Sequence, residues 1–208
     1  QRNDDDLPEE VSQAINTLAQ QIMQNINRAA VVNPVSLLAL VLLGTPKHAL
    51  DEAMCIKQLD SYRQMALNAP YDEQVQTTLM SGREIIDYGL KLKLIKRVSH
   101  LLGDLIAIED QQALLLTYFR NNILHLFILP SLLAALILQN GRISHEEARR
   151  IISELYPFLQ AELFLKWPDG LLADMVNQQI SSLTTLGLIE SDDSMLFCPA
   201  PNSESFSQ

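Results

Sequence analysis

The sequence predicts a mainly α-helical, multi-helix domain with one or two small β-hairpins and a winged-helix-like C-terminal end. Three observations point there. Apolar residues recur at steps of three and four through most of the chain, the period of a helix face. The runs are bounded by helix punctuation: Asn33-Pro34, Thr45-Pro46, Ser144 three positions before Glu147, and glycines at 44, 141 and 187. Alternation of period two is confined to short stretches around residues 92–108 and 188–197.

Taken in order, Pro8 can occupy a first helical turn behind Asp4, Asp5 and Asp6. Val11, Ile15, Leu18, Ile22 and Ile26 then mark one face of an amphipathic helix ending near Asn27. Asn33-Pro34 opens a second helix, residues 35–43, apolar nearly all round and stopped by Gly44, a pattern that argues for burial on several sides. Thr45-Pro46, as N-cap and first helical residue, predicts a third helix with Leu50, Met54, Leu59, Tyr62 and Met65 on its stripe and Asn68-Ala69-Pro70 at its end. Residues 72–81 read as a polar connection and residues 82–90 as a short helix.

From Leu92 the helical period gives way to alternation, and Ile95, Val98, a turn at 101–104, then Leu105, Ile106 and Ile108 predict a β-hairpin. Asp110 is expected to cap a long apolar helix, 111–129, that is bent or broken by Pro130, resumes to Leu138 and ends at Asn140-Gly141. Ser144-x-x-Glu147 reads as a capping box, opening a helix with Ala148, Ile151, Ile152, Leu155, Phe158, Leu159 and Leu163 on one face and a kink at Pro157. Asp169-Gly170 separates a last helix, 171–186, ended by Gly187 before two short runs around Asp192-Asp193. The order helix, glycine, hairpin is winged-helix-like. The expected division is a helical region at 1–141, the winged-helix-like end at 142–200 packed on it, and a disordered Ser-rich tail at 201–208.

Composition narrows the function classes. With 48% hydrophobic and 19% charged residues among 208, the chain is too apolar for a disordered segment and long enough to bury a core. Twenty-five acidic against 15 basic side chains leave a net charge of −10, so no nucleic-acid partner is expected. Cys55 and Cys198 form no C-x-x-C, and His48, His100, His125 and His145 are scattered. Reduced thiols are expected, with no metal site and no cofactor. Gly-rich phosphate loops and G-x-S-x-G are absent. The longer apolar run, residues 123–138, holds 16 residues and is interrupted by His125 and Pro130; it is shorter than a span and reads as a buried or interfacial helix. The chain opens at Gln1 without an initiator Met or apolar leader, and reads as a processed chain or a piece of a longer one.

Two polar constellations stand out. Lys91, Lys93, Lys96 and Arg97 cluster with no acidic residue between Tyr88 and Leu102. They read either as a docking patch for an anionic membrane surface, an acidic carrier protein or a phosphorylated ligand, or as an edge strand guarded by cations. Arg120, Asn121 and Asn122, with His125 near the same face, interrupt a very apolar helix. A guanidinium there needs a partner, water or a ligand, so this group is either a polar site or a structural network.

Four strings carry a family resemblance: residues 29–39 (AAVVNPVSLLA), residues 45–50 (TPKHAL), residues 115–127 (LLTYFRNNILHLF), and residues 156–165 (YPFLxAELFL). They resemble the C-terminal region of bacterial membrane-bound glycerol-3-phosphate 1-O-acyltransferase, over almost the whole chain. The resemblance implies acyl transfer from acyl-CoA or acyl carrier protein to glycerol 3-phosphate, giving lysophosphatidic acid, the first step of phospholipid synthesis. It also implies a peripheral position at the cytoplasmic face of the inner membrane. The family's catalytic H-x-x-x-x-D block is missing: the fifth residues after His48, His100, His125 and His145 are Ala53, Leu105, Pro130 and Arg150. A His general base needs an orienting carboxylate. The resemblance therefore implies an accessory piece, inactive alone, whose partner is the upstream acyltransferase domain of the same enzyme. An acidic helical protein-interaction module with no enzymatic role is the alternative.

Overall fold

The computed structural model describes residues 9–101, 103–109, 111–192 and 194–199. The expected Asp110 cap, the acidic start with Pro8, Asp193 and the polar tail lie outside the described residues. The first helix, α1 (Glu9–Arg28), leads to a two-residue strand β1 (Val31–Val32). Asn33 then caps α2 (Pro34–Leu43) by accepting from the Ser36 amide, with Pro34 where the first turn tolerates it. Helix α2 is the centre of the core. Leu37, Leu38, Ala39 and Leu42 are fully buried beneath the neighbouring helices, as its all-round apolar sequence requires.

The Thr45-Pro46 signal misleads. Residues Pro46–His48 make one 3-10 turn, and Lys47 and His48 adopt left-handed backbone (φ 58° and 52°), so no helix propagates from it. The chain instead forms strand β2 (Ala49–Asp51), and α3 (Glu52–Asn68) starts only where Asp51 accepts from the Met54 amide. Leu50 consequently sits in a strand, not on the α3 stripe. The polar connection after α3 carries a strand, β3 (Gln76–Thr77), parallel to β1. Helix α4 (Gly82–Lys91) opens with a full capping box between Ser81 and Glu84.

The expected hairpin is present as β4 (Ile95–Val98) and β5 (Leu105–Ile108), antiparallel; β2 adds a third strand, in the order β2-β5-β4. The long apolar helix is two helices, α5 (Ala113–Asn121) and α6 (Ile128–Asn140). The break lies before Pro130, at a 3-10 turn (Leu124–Phe127). Pro130 stands in the first turn of α6, where its missing N–H forfeits no helical bond.

Strand β6 (Arg142–Ser144) precedes α7 (His145–Leu163), which Ser144 caps by accepting from the Glu147 amide. The Glu147 carboxylate pairs with Arg150. Helix α7 continues through Pro157 and ends at Phe164 in left-handed backbone. Helix α8 (Asp169–Thr185) takes in the Asp169-Gly170 pair expected to precede it. After Gly187 (φ 66°), strands β7 (Glu190–Ser191) and β8 (Met195–Phe197) complete a sheet ordered β6-β8-β7. Strand, two helices and a returning hairpin make the winged-helix-like end.

Helix α1 is the exception to burial. It holds no buried residue, and its predicted inner face is exposed: Ile15 by 51%, Leu18 by 58% and Ile26 by 59%. Among the described residues no single helix is long and apolar enough to cross a membrane; α5 with the following segment passes by composition only as a pair bent by 61°.

Candidate functional site

The cationic cluster is split by the fold. Lys96 and Arg97 lie on β4, an edge strand of its sheet. Arg97 forms a two-pronged ion pair with Glu52, Nε to Oε2 at 2.7 Å and Nη2 to Oε1 at 2.8 Å. Lys96 approaches Glu109 at 3.6 Å. These two fit the edge-strand reading. Lys91 closes α4, and Lys93 follows in left-handed backbone (φ 57°). Neither has an ion pair among the described residues, and both are exposed. Between them Leu92 is exposed, and Tyr88, one helical turn earlier, is exposed as well. The end of α4 thus offers two uncommitted ammonium groups beside an exposed leucine and tyrosine, a combination that suits a bilayer interface.

The second constellation does not assemble into one site. Arg120 Nη2 donates to Asn121 Oδ1 at 3.3 Å, while Arg120 Nε is buried without a hydrogen-bond partner. Asn122 is exposed at the end of α5. His125 is buried elsewhere: its Nε2 lies 3.0 Å from the Asn27 carbonyl oxygen, and its ring meets Tyr71 edge-on at 5.1 Å. A carbonyl only accepts, so Nε2 carries the proton. Burial pushes the imidazole pKa down, against the smaller opposing effect of the Asn27 bond.

A polar knot that sequence reasoning missed lies close by. The Asp72 carboxylate is buried and accepts from Arg28 Nε at 2.9 Å and from Lys166 Nζ at 2.6 Å through Oδ2, and from the Gln74 amide through Oδ1. Burial alone would raise its pKa. The bonds from Lys166, Gln74 and Arg28 outweigh that and hold it at about 2. Around it, the Lys166 amide donates to the Tyr71 hydroxyl, Asn27 Nδ2 to Leu163 O at 2.7 Å, Gln24 Nε2 to Leu165 O, and Tyr156 to Trp167 O. Arg28, Asp72, Lys166 and Trp167 line a cleft of about 460 Å³. Two cations share the one carboxylate, and the knot acts as a clamp on the end of α1. In the sequence Asp72 stands beside Glu73 in a polar stretch, with nothing local to mark its partners.

His125 Nε2 lies against a backbone carbonyl and His145 Nε2 against the Ser191 hydroxyl. Cys55 is buried, its thiol pushed up to about 12 by burial and by Glu52 and Asp51, and Cys198 is exposed; both are free. Among the described residues no three His, Cys, Asp or Glu side chains gather to hold a metal ion.

Residues 1–208 match the family described as glycerol-3-phosphate acyltransferase C-terminal region. The chain belongs to this family. It is 42% identical over 186 residues to the glycerol-3-phosphate acyltransferase of Xanthomonas campestris, an alignment covering 89% of this chain and 21% of that protein. Against the enzyme of Pseudomonas paraeruginosa it is 36% identical over 199 residues, covering 96% and 24%. Against that of Xylella fastidiosa it is 41% identical over 187 residues, covering 90% and 22%. This acyltransferase C-terminal region therefore spans between a fifth and a quarter of the length of these relatives. Nothing in these comparisons supports a free-standing protein-interaction module.

Proposed function

We propose that this region serves a glycerol-3-phosphate acyltransferase as a non-catalytic accessory domain. The preceding acyltransferase domain of the same enzyme supplies the chemistry: transfer of an acyl group from acyl-CoA or acyl carrier protein to glycerol 3-phosphate, yielding lysophosphatidic acid. The family membership carries the reading, since every relative named above is such an enzyme and is four to five times longer than the matched part. The chemistry of the chain agrees. His125, the best-buried histidine, is tied to a backbone carbonyl and held neutral, which leaves it no orienting carboxylate and no access to a hydroxyl substrate.

The accessory domain sits peripherally at the cytoplasmic face of the inner membrane. Lys91 and Lys93 beside exposed Leu92 and Tyr88 support that position, each cation contributing about 1 kcal/mol near an anionic surface. The test of the reading is acyl transfer measured with residues 1–208 alone and with the full-length protein. Turnover is expected only from the full-length protein, and robust turnover by residues 1–208 would refute the accessory role.

A further inference from the structure

We propose that the exposed stripe of α1, formed by Val11, Ile15, Leu18, Ile22 and Ile26, is the surface that receives the preceding polypeptide of the acyltransferase. This rests on the accessory-domain reading and specifies the interface it requires. The stripe follows helical spacing over about 22 Å of axis, at 1.5 Å per residue. All five side chains are exposed, between 41% for Val11 and 59% for Ile26, whereas α2 buries Leu37, Leu38 and Leu42 and α4 buries Ile85 and Ile86. An apolar face of this length, sustained on an ordered helix, is a contact surface awaiting a partner.

Two observations select the partner. In the relatives, three quarters or more of the protein lies outside the matched C-terminal region, and α1 is the element at the N-terminal side of that region, next to where the preceding chain joins. Second, the polar face of α1 lacks the lysines and arginines of an interfacial membrane helix. Its charged residues are Glu9 and Glu10 in the first turn and Arg28 in the last, and Arg28 is already held by Asp72. The remaining polar positions are amides and hydroxyls such as Gln13, Asn16, Thr17, Gln20 and Gln21. Uncharged polar margins around an apolar stripe match a helix lying in an apolar protein groove, and the acidic first turn disfavours an anionic bilayer. Among the described residues, the side chains that pin the helix to its own domain, Gln24, Asn27 and Arg28, lie at its C-terminal end, leaving the stripe presented.

The experiment places the photo-crosslinker p-benzoylphenylalanine at position 18 of the full-length membrane-bound protein, with lysine-reactive crosslinking of the same preparation run in parallel and both read by mass spectrometry. Position 18 is expected to crosslink into the preceding polypeptide, and the crosslink is expected to be lost when Ile15→Glu and Ile22→Glu are introduced. As exposed positions, these changes leave the fold of the domain intact. Crosslinks from position 18 only to phospholipid, only to α1 of a second copy, or to nothing, while lysine crosslinks still join the region to the preceding polypeptide, would overturn the inference and leave the accessory role standing. Absence of any crosslink between the two parts by either reagent would overturn both.

Discussion

Asp72 shows how a single residue can organise a polar interior. Its carboxyl, held at about 2 against an ordinary 3.8, is ionised in the folded chain well below the pH at which it would protonate when unfolded. The depressed folded value means that stability is fully present above about pH 4 and is lost as pH falls through about 2. Asp72→Asn is expected to remove on the order of 2 kcal/mol at neutral pH and flatten that acid limb, measured as a shift in urea midpoint across pH. His125 acts in a different window and with the same sign. Its folded pKa is lowered, so below about 6.5 the unfolded chain takes up a proton that the buried ring refuses, and stability falls with pH there. His125→Gln, which keeps an N–H for the Asn27 carbonyl, should abolish the pH dependence near 6 while leaving the acid limb near pH 3 unchanged. Helical periodicity continued through residues 122–127 would set His125 beside Asn121 and Asn122. A 3-10 turn there rotates the ring away, toward α1. Asp72 was not legible at all, since its partners lie 44 and 94 positions away.

At the scale of elements, helix α4 seats its neighbours through its two glycines. A Cβ at Gly82 would lie 2.5 Å from the backbone oxygen of Ile56, and the Gly82 amide donates to Asp60 Oδ1. At Gly89 it would lie 2.5 Å from the Leu38 δ-methyl and 2.9 Å from that of Ile95. In a solvent-facing helix, Gly→Ala gains roughly 1 kcal/mol. Both substitutions are expected to destabilise instead, by about 1 to 3 kcal/mol, with Gly82→Ala the worse because a backbone carbonyl cannot rotate aside as a methyl can. Comparing their chemical denaturation midpoints checks the ranking. Elements whose signal is local were legible: α2 from its Asn33-Pro34 cap and unbroken apolar run, β4 and β5 from alternation, the end of α8 from Gly187. Those decided by long-range pairing were not. Strand β2 forms because its backbone finds β5 more than fifty residues later, which overrides the Thr45-Pro46 start signal. Pro130 looked like a break because a proline interrupts an interior turn, yet it stands in a first turn where it fits.

For the whole molecule, charge and apolar surface divide the labour. The net −10 sets an acidic background, and within the cluster at 91–97 the cations without an ion pair among the described residues are Lys91 and Lys93. Flotation of the full-length protein with anionic vesicles is expected to weaken on Lys91→Glu with Lys93→Glu and to change little on Arg97→Gln, whose guanidinium is already spent on Glu52; equal effects from both would remove the α4 terminus from the account. The family strings made the biological setting readable, whereas the periodicity that marked α1 as amphipathic could not say that its apolar face would be left open. One consequence concerns timing. Two of the side chains that anchor α1, Gln24 and Asn27, reach residues 163–165, up to 141 positions further on. At about 5 to 20 residues per second, roughly 7 to 28 s of synthesis separate the two ends of these bonds. During that interval α1 leaves the ribosome with its apolar stripe formed and its anchors not yet made, while any polypeptide ahead of it has already emerged. Docking onto that earlier-made chain can then precede closure of the domain to which α1 belongs, so the order of translation favours assembly from the interface inward.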